Sequence, residues 1–242
     1  MKATLFGGRL SPFVEKVARA MQLKGIEIDL VEPKSPLDFK KWNPQTGKMP
    51  VLELDGRRYY DSTIICRKLD EVVPAPPLVS PDAETAAKQR FIEDWSDESL
   101  YWYTMAFRWA PENERETVAQ ISGLLPWPVR PLGGILLPRL IGGQARAQGL
   151  ARLPLATLVD ELGRRLDELV VFLGDRPFFF SETVSVADLA VFGQLSTMKS
   201  GPTPQCEELI AARAPLGAFF RRVDEATQPR RDRASAGGRR AA

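Results

Sequence analysis

Residues 43–62 read NPQTGKMPVLELDGRRYYDS, and this stretch decides the fold of the first part of the chain. Pro50 precedes an apolar run, residues 51–54, that is typical of a short β-strand. The pair Asp-Gly at 55–56 then predicts a tight hairpin turn, after which residues 57–60 can pair back as a second strand. The stretch therefore predicts a β-hairpin that begins at a proline.

The position of Pro50 suggests a use for this hairpin. A proline at the entry of an interior strand cannot donate to the ladder, and a cis Met49–Pro50 bond is one way to tolerate it. The backbone of Met49 then faces outward, where its N–H and C=O groups can pair with an extended peptide. Asp61 and Ser62 stand at the start of the next helix and offer groups suited to an amino-acid-like ligand end. The alternative is an ordinary hairpin with a trans proline.

Composition excludes several classes of function. The chain has 242 residues, a net charge of +2 and no histidine. The small net charge gives no reason to expect nucleic-acid binding, and no apolar run reaches the length of about 18 residues that a transmembrane helix needs. Without histidine, Ser-His-Asp and Cys-His catalysis are excluded and no metal site is expected. Cys66 and Cys206 lie far apart, and the N-terminus lacks the apolar region of a signal peptide, which together favour a cytoplasmic location.

The first part of the chain predicts the order β-α-β-loop-β-β-α. Residues 2–6 form an apolar strand, and Ser11 with Pro12 is typical of a helix N-cap and first turn. That helix ends at Gly25, and residues 26–31 alternate like a second strand. The hairpin and a helix that begins at Ser62 follow. This order predicts one small mixed sheet with helices on its faces.

The remainder of the chain predicts helices. A proline-rich linker, residues 75–82, precedes an apolar stripe that runs at helical spacing through residues 91–109. Residues 122–149 are too broken by Gly and Pro for one long helix and too apolar for a disordered linker. Ser185 and Asp188 form the aspartate variant of a capping box, which we interpret as structural.

Four motifs together resemble the cytosolic glutathione transferases. They are SPFVEKVARAMQLKGI from Ser11, GKMPVL from Gly47, DSTIICRKLDE from Asp61 and SVADLAVFGQL from Ser185. The resemblance covers residues 1–225 and implies an α/β thioredoxin-like N-terminal domain followed by an all-α helical C-terminal domain. It also implies a cis Pro50, a homodimer and an active site in the interdomain cleft, with glutathione as the co-substrate.

We divide the chain on this basis into a thioredoxin-like glutathione-binding domain at 1–77, a linker at 78–87, an all-helical domain at 88–228 and a disordered basic tail at 229–242. The segment at 122–149 departs from common family members. An elongated helical domain of this kind resembles the branch near the metaxin and fax-type proteins.

The resemblance implies that Ser11 is the catalytic hydroxyl, because the tyrosine-type classes carry theirs on the first strand, where this chain has Phe6. The hydroxyl and the positive helix end would stabilise the glutathione thiolate, which is the nucleophilic form. The alternative is that Ser11 is only an N-cap. The resemblance further implies that Met49, next to Pro50, binds the cysteinyl backbone of glutathione.

The same resemblance assigns the two ends of glutathione. Asp61 and Ser62 would hold the γ-glutamyl end, although the family usually has Glu or Gln where this chain has Asp61. Lys48 and Lys41 would pair with the glycyl carboxylate, and the alternative is that both are ordinary surface lysines.

A small apolar electrophile is the expected second substrate, and three aromatic residues are candidates for its pocket: Phe13, Trp102 and Phe107. Aromatic stripes are more often core. The leading hypothesis is therefore a glutathione transferase. The alternatives are a glutathione-dependent isomerase, peroxidase or dehalogenase, or a non-catalytic binding module that uses residues 122–149.

Overall fold

The computed structural model describes residues 2–228, so the predicted basic tail at 229–242 lies outside the described residues. The first part of the chain has the predicted order of elements. Its strands are β1 (Lys2–Phe6), β2 (Glu27–Val31), β3 (Val51–Leu54) and β4 (Arg57–Tyr60), and its helices are α1 (Pro12–Leu23), α2 (Pro36–Trp42) and α3 (Ser62–Val72).

The four strands form one mixed sheet in the order β2-β1-β3-β4. Strand β1 pairs parallel with β2 and antiparallel with β3, and β3 pairs antiparallel with β4 across the predicted hairpin. Phe6 at the end of β1 is opposite Val51 at the start of β3, and Val51 is opposite Tyr60 at the end of β4. The segments after β1, before β3 and after β4 therefore meet at one edge of the sheet.

The second part of the chain is helical, as the sequence predicts. Its helices are α4 (Ala83–Trp95), α5 (Tyr101–Arg108), α6 (Pro111–Ser122), α7 (Gly133–Leu137), α8 (Gly143–Gln148), α9 (Leu155–Leu173), α10 (Val186–Ser200), α11 (Pro204–Ala211) and α12 (Ala214–Thr227). Two π-helical turns, Ser96–Leu100 and Pro138–Gly142, join α4 to α5 and α7 to α8. Among residues 2–228, no helix is long and apolar enough to cross a membrane.

The predicted linker at 78–87 overlaps the first helix of the second part of the chain. Helix α4 begins at Ala83, so residues 83–87 are helical. The reason is a cap that the proline-rich composition concealed: the side chain of Asp82 accepts a hydrogen bond from the Thr85 N–H at 2.8 Å. Asp82 is therefore an N-cap, which fixes the start of the helix.

Helix α10 is the centre of the helical domain. Most of its residues are buried, and it packs against α1, α4 and α12. The predicted capping box is present: Asp188 is fully buried and accepts from the Ser185 N–H at 2.7 Å. It also accepts from the Ser185 hydroxyl at 2.7 Å and from the Phe179 N–H at 2.8 Å. A single carboxylate thus anchors both the helix and the turn before it.

The contact between α1 and α10 joins the two domains closely. A Cβ added at Gly193 in α10 would lie 2.5 Å from the backbone oxygen of Pro12. Only glycine allows this approach, because real side chains do not reach such distances without a shift. The first turn of α1 is therefore held in place by the helical domain.

Candidate active site

Three of the segments singled out in the sequence converge at one edge of the sheet. Ser11 follows β1, Met49 precedes β3, and Asp61 follows β4, and these strands end in register. The Ser11 N–H donates to the Gly8 carbonyl at 2.9 Å, and a Cβ at Gly8 would touch the Met49 methyl group at 4.0 Å. The sheet topology therefore places the loop before Ser11 beside Met49.

Ser11 is the N-cap of α1, as the sequence predicts. Its backbone is extended, and its hydroxyl oxygen accepts from the Val14 N–H at 3.4 Å. This is a long hydrogen bond, and within residues 2–228 the hydroxyl proton has no acceptor. Ser11 is half-buried, so the hydroxyl remains accessible. The residue is a cap with a free donor at the positive end of a helix.

The Met49–Pro50 bond is cis, which confirms the prediction. In the part of the chain that the structure describes, the N–H and C=O of Met49 make no hydrogen bond. The loop before it is shaped by Asn43, whose Nδ2 donates to the Thr46 hydroxyl at 2.8 Å and to the Lys48 carbonyl at 3.2 Å. No signal in the sequence marks the buried Asn43, which sets the approach of the chain to Met49.

Asp61 caps α3 with one carboxylate oxygen. Its Oδ1 accepts from the Thr63 and Ile64 N–H groups at 3.0 and 3.1 Å. Its other oxygen has no hydrogen-bond partner among the described residues, and the side chain is exposed. The backbone of Asp61 has a φ of 73°, an unusual value for a residue other than glycine. Ser62 is the first residue of α3 and is buried.

Lys41, in α2, and Lys48, in the loop directly before Met49, are both exposed. Within residues 2–228, neither ammonium group forms an ion pair. Their backbone carbonyls do have partners, Arg58 and Asn43 respectively. Both ammonium groups are therefore free to bind an anion.

The aromatic residues divide into two sets. Phe13 and Tyr101 have ring centroids 5.1 Å apart, and Tyr101 and Trp102 are 5.3 Å apart. These three are partly exposed and bridge from α1 to α5. Phe107, by contrast, is 0% exposed and belongs to the core. Its assignment to the substrate pocket is corrected, because helical spacing does not distinguish a core face from a cleft face.

A buried charged cluster next to the site was missed in the sequence. The ammonium group of Lys16 in α1 contacts Glu93 and Asp97, each at 2.6 Å, and donates to the Thr63 hydroxyl at 3.1 Å. The Thr63 hydroxyl in turn donates to Glu93 at 2.9 Å. The cluster therefore ties α1 and α3, which both begin at site residues, to the helical domain. In the sequence, the three charged residues of the cluster look like ordinary surface residues, and no local pattern indicates that they are buried together.

The electrostatics of this cluster follow from one ammonium group shared by two carboxylates. Burial raises the pKa of Asp97 to about 6, against the lowering effect of Lys16. Burial alone would lower the pKa of Lys16, but the charges of Asp97 and Glu93 outweigh it and hold this pKa above its ordinary value. Lys16 is thus a permanent cation, and Asp97 is the member that can take up a proton.

The described residues offer no thiol nucleophile and no metal site. Cys66 and Cys206 are both buried and unpaired, and burial raises the pKa of each to about 12. Among residues 2–228, no group of His, Cys, Asp and Glu side chains could hold a metal ion. The chemistry available is therefore that of hydroxyls, helix ends and open backbone groups.

Comparison with known proteins agrees with this geometry. Residues 5–77 match the family described as Glutathione S-transferase, N-terminal domain. Glutathione transferase GST 23 of Zea mays is 37% identical over 101 residues, which cover 38% of this chain and 45% of the relative. A probable glutathione transferase of Aplysia californica is 34% identical over 85 residues, or 34% of this chain and 91% of the relative.

The solved structure of glutathione S-transferase III in apo form has a TM-score of 0.64 at 18% identity and covers 94% of each chain. This likeness confirms the thioredoxin-like fold and the helical domain. The chain spans about half the length of the plant relatives that it matches. The match to the N-terminal domain and the coverage of the Aplysia relative show that this chain belongs to the glutathione transferase family.

Proposed function

We propose that this protein is a glutathione transferase in which Ser11 stabilises the thiolate of bound glutathione for attack on an electrophile. The observation that carries the proposal is the Ser11 hydroxyl, which lies at the N-terminus of α1 with its proton free. A hydrogen bond to the sulfur and the positive helix end both favour thiolate over thiol. The deprotonated sulfur then forms a bond to the electrophile.

The rest of glutathione is held by groups that surround Ser11. The unpaired N–H and C=O of Met49, beside Pro50, bind the cysteinyl backbone in the manner of an added strand. Asp61 uses its free oxygen to accept from the γ-glutamyl ammonium group, and Ser62 offers the N-terminus of α3 to the carboxylate. Lys41 and Lys48 pair with the glycyl carboxylate.

The electrophile lies against the wall that Phe13, Tyr101 and Trp102 form between the two domains. This wall supplies the apolar contacts that a small electrophile needs. Phe107 is fully buried in the core and is therefore not part of this wall.

Retention on glutathione-agarose, followed by conjugation assays with a panel of electrophiles, tests the proposal. We expect retention, elution by free glutathione and turnover of at least one electrophile. Retention without turnover would favour a binding module. Turnover of peroxides alone, or halide release without a glutathione conjugate as product, would favour a different glutathione-dependent reaction. No retention and no turnover would contradict the proposal.

The Ser11→Ala variant separates catalysis from capping. We expect turnover to fall about tenfold or more, which corresponds to the loss of one hydrogen bond to a charged group, while glutathione affinity stays nearly unchanged. Asp82→Ala is the matched control, because it removes a helix cap remote from the site. If both variants lose only stability and keep wild-type turnover, Ser11 is a cap and nothing more.

We also propose that the protein is a homodimer in a reducing, cytoplasmic compartment. The exposed apolar side chains of Ile64 on α3 and Phe91 on α4 support association, and the free thiols of Cys66 and Cys206 support the compartment. Light scattering with size-exclusion chromatography measures the first. A monomeric mass at micromolar concentration would contradict it.

A further inference from the structure

Arg108, the last residue of α5, carries a largely enclosed guanidinium that has no counter-ion among residues 2–228. Its Nε and Nη2 atoms are enclosed and have no hydrogen-bond partner. Within residues 2–228 the guanidinium forms no ion pair, and Nη1 also makes no hydrogen bond, although this atom is not enclosed. Buried charges are ordinarily paired, because removing an ion from water is costly. This cation therefore lacks the partner that its position calls for.

The two titratable groups whose charges would act on Arg108 do not supply that partner. They are Tyr101 and Cys206, which are neutral near pH 7 because burial raises the pKa of each. Burial lowers the pKa of Arg108 itself, but an arginine remains protonated in proteins. The charge is therefore present near pH 7, and no ionised group in the described part of the chain pairs with it.

Arg108 lies on the same side of α5 as the wall of the proposed substrate site. Tyr101 and Arg108 are separated by two helical turns, and helical side chains incline toward the N-terminus of their helix. The guanidinium therefore extends toward Tyr101, whose ring packs on Phe13, two residues after Ser11. Arg108 and Ser11, the residue proposed to stabilise the thiolate, thus lie toward opposite ends of one aromatic wall.

The surroundings of Arg108 are held rigidly. Its carbonyl accepts from the buried Thr117 hydroxyl at 2.7 Å, and the Phe107 carbonyl accepts from Asn113 at 2.9 Å. On the other side, a Cβ at Gly201 would lie 3.3 Å from Nη2. The two hydrogen bonds fix the end of α5 against α6, which carries both Asn113 and Thr117.

We propose that Arg108 binds a carboxylate of the electrophilic co-substrate, so that acidic electrophiles are the preferred class. A planar guanidinium with open donors matches a carboxylate better than any neutral group. This inference rests on the glutathione transferase function proposed above and refines the apolar electrophile to one that has an apolar body and an acidic end.

A matched pair of electrophiles tests the preference: a chloronitrobenzoate, with chlorine para to the carboxyl group and ortho to the nitro group, and its methyl ester. The thiolate forms a C–S bond at the ring carbon that bears chlorine, and chloride leaves with its electron pair. Because the ester activates the ring more strongly than the carboxylate does, each kcat/KM is divided by the uncatalysed rate constant with free glutathione. On this scale we expect the acid to have the higher value in the wild type. Arg108→Met should lower the acid-to-ester ratio about tenfold or more, because it removes a charge-assisted contact.

Two controls accompany this assay. Arg139→Met removes an exposed arginine of the helical domain and should leave the ratio unchanged. Arg108→Met should keep or raise the Tm, because it removes an unpaired buried charge. If that variant does not fold, Arg108→Lys is tested in its place. Lysine keeps the positive charge but cannot form two parallel hydrogen bonds to a carboxylate, so the acid-to-ester ratio should still fall.

A binding measurement separates this inference from the proposed function. Nitrobenzoate has no leaving group, so its effect on Tm reports binding without conjugation. A Tm increase in the wild type that Arg108→Met abolishes supports the anion site even if no electrophile is conjugated, in which case only the proposed function fails. The inference would be overturned if nitrobenzoate raised the Tm of both proteins equally or did not raise the Tm of the wild type. It would also be overturned if Arg108→Met left the acid-to-ester ratio unchanged.

Discussion

Replacing Asp188 by alanine should destabilise the helical domain without damaging the glutathione site. The carboxylate accepts from the Ser185 N–H, the Ser185 hydroxyl and the Phe179 N–H at 2.7–2.8 Å in fully buried surroundings. The hydroxyl can rotate toward another acceptor, but the two N–H groups cannot. The variant therefore leaves two buried backbone donors without a partner.

Each orphaned donor costs about 1–3 kcal/mol, so we expect Asp188→Ala to lower the free energy of unfolding by about 2–6 kcal/mol. This is a large share of the 5–15 kcal/mol or so that stabilises a typical domain. Asp188→Asn should lose less, because its amide oxygen still accepts from one N–H. Asp160→Ala, on the exposed face of α9, should change stability by no more than about 0.5 kcal/mol.

Urea unfolding at fixed pH gives the midpoints, and calorimetric titration of the folded fraction gives the glutathione affinity. We expect a much lower midpoint for Asp188→Ala and an affinity like that of the wild type. A wild-type midpoint with lost affinity would refute the reasoning, because it would place Asp188 in the binding site.

Two further predictions concern the contact between the domains. The pKa of Asp97 is about 6 in the folded protein, against an ordinary value of 3.8. Because the folded value is the higher one, the free energy of unfolding of the wild type, relative to that of Asp97→Asn, should fall as pH rises from about 4 to 6. The fall should be about 3 kcal/mol, at about 1.4 kcal/mol per pKa unit. Paired urea curves across this range measure the gap, and a gap that stays constant or widens would contradict the assignment. Gly193→Ala should destabilise the protein by about 1–3 kcal/mol, because its Cβ would meet the Pro12 carbonyl. Gly217→Ala in α12, where a Cβ meets nothing within 4 Å, should instead gain about 0.5–1 kcal/mol, and equal effects of the two substitutions on Tm would refute the contact.

Elements with local signals were predictable from the sequence. The hairpin from Val51 to Tyr60, the N-cap at Ser11 and the capping box at Asp188 each depend on residues within one or two turns of each other. The sequence also predicted one small mixed sheet, but not the order of the strands within it. The proximity of Met49 to the loop that leads to Ser11 is seen only in the structure.

Features that depend on tertiary contacts were not predictable in the same way. Lys16 meets Asp97 across 81 positions of sequence, and a lone lysine on a helix ordinarily indicates a solvent-facing position. Phe107 shares helical spacing with exposed aromatic residues, yet it is enclosed by the rest of the domain. Arg108 looks like any other arginine in the sequence. Only the structure shows that its enclosed guanidinium atoms have no hydrogen-bond partner among the described residues.

The protonation state of bound glutathione tests the central role of Ser11 most directly. Ultraviolet absorbance of the thiolate, followed against pH for saturated wild type and Ser11→Ala, gives the pKa of the bound thiol in each. A hydrogen bond of about 1.5–3 kcal/mol to the sulfur corresponds to about 1–2 pKa units. We predict a bound thiol pKa below that of free glutathione in the wild type and higher by about that amount in Ser11→Ala. The same pKa in both proteins would contradict the role of Ser11 in catalysis.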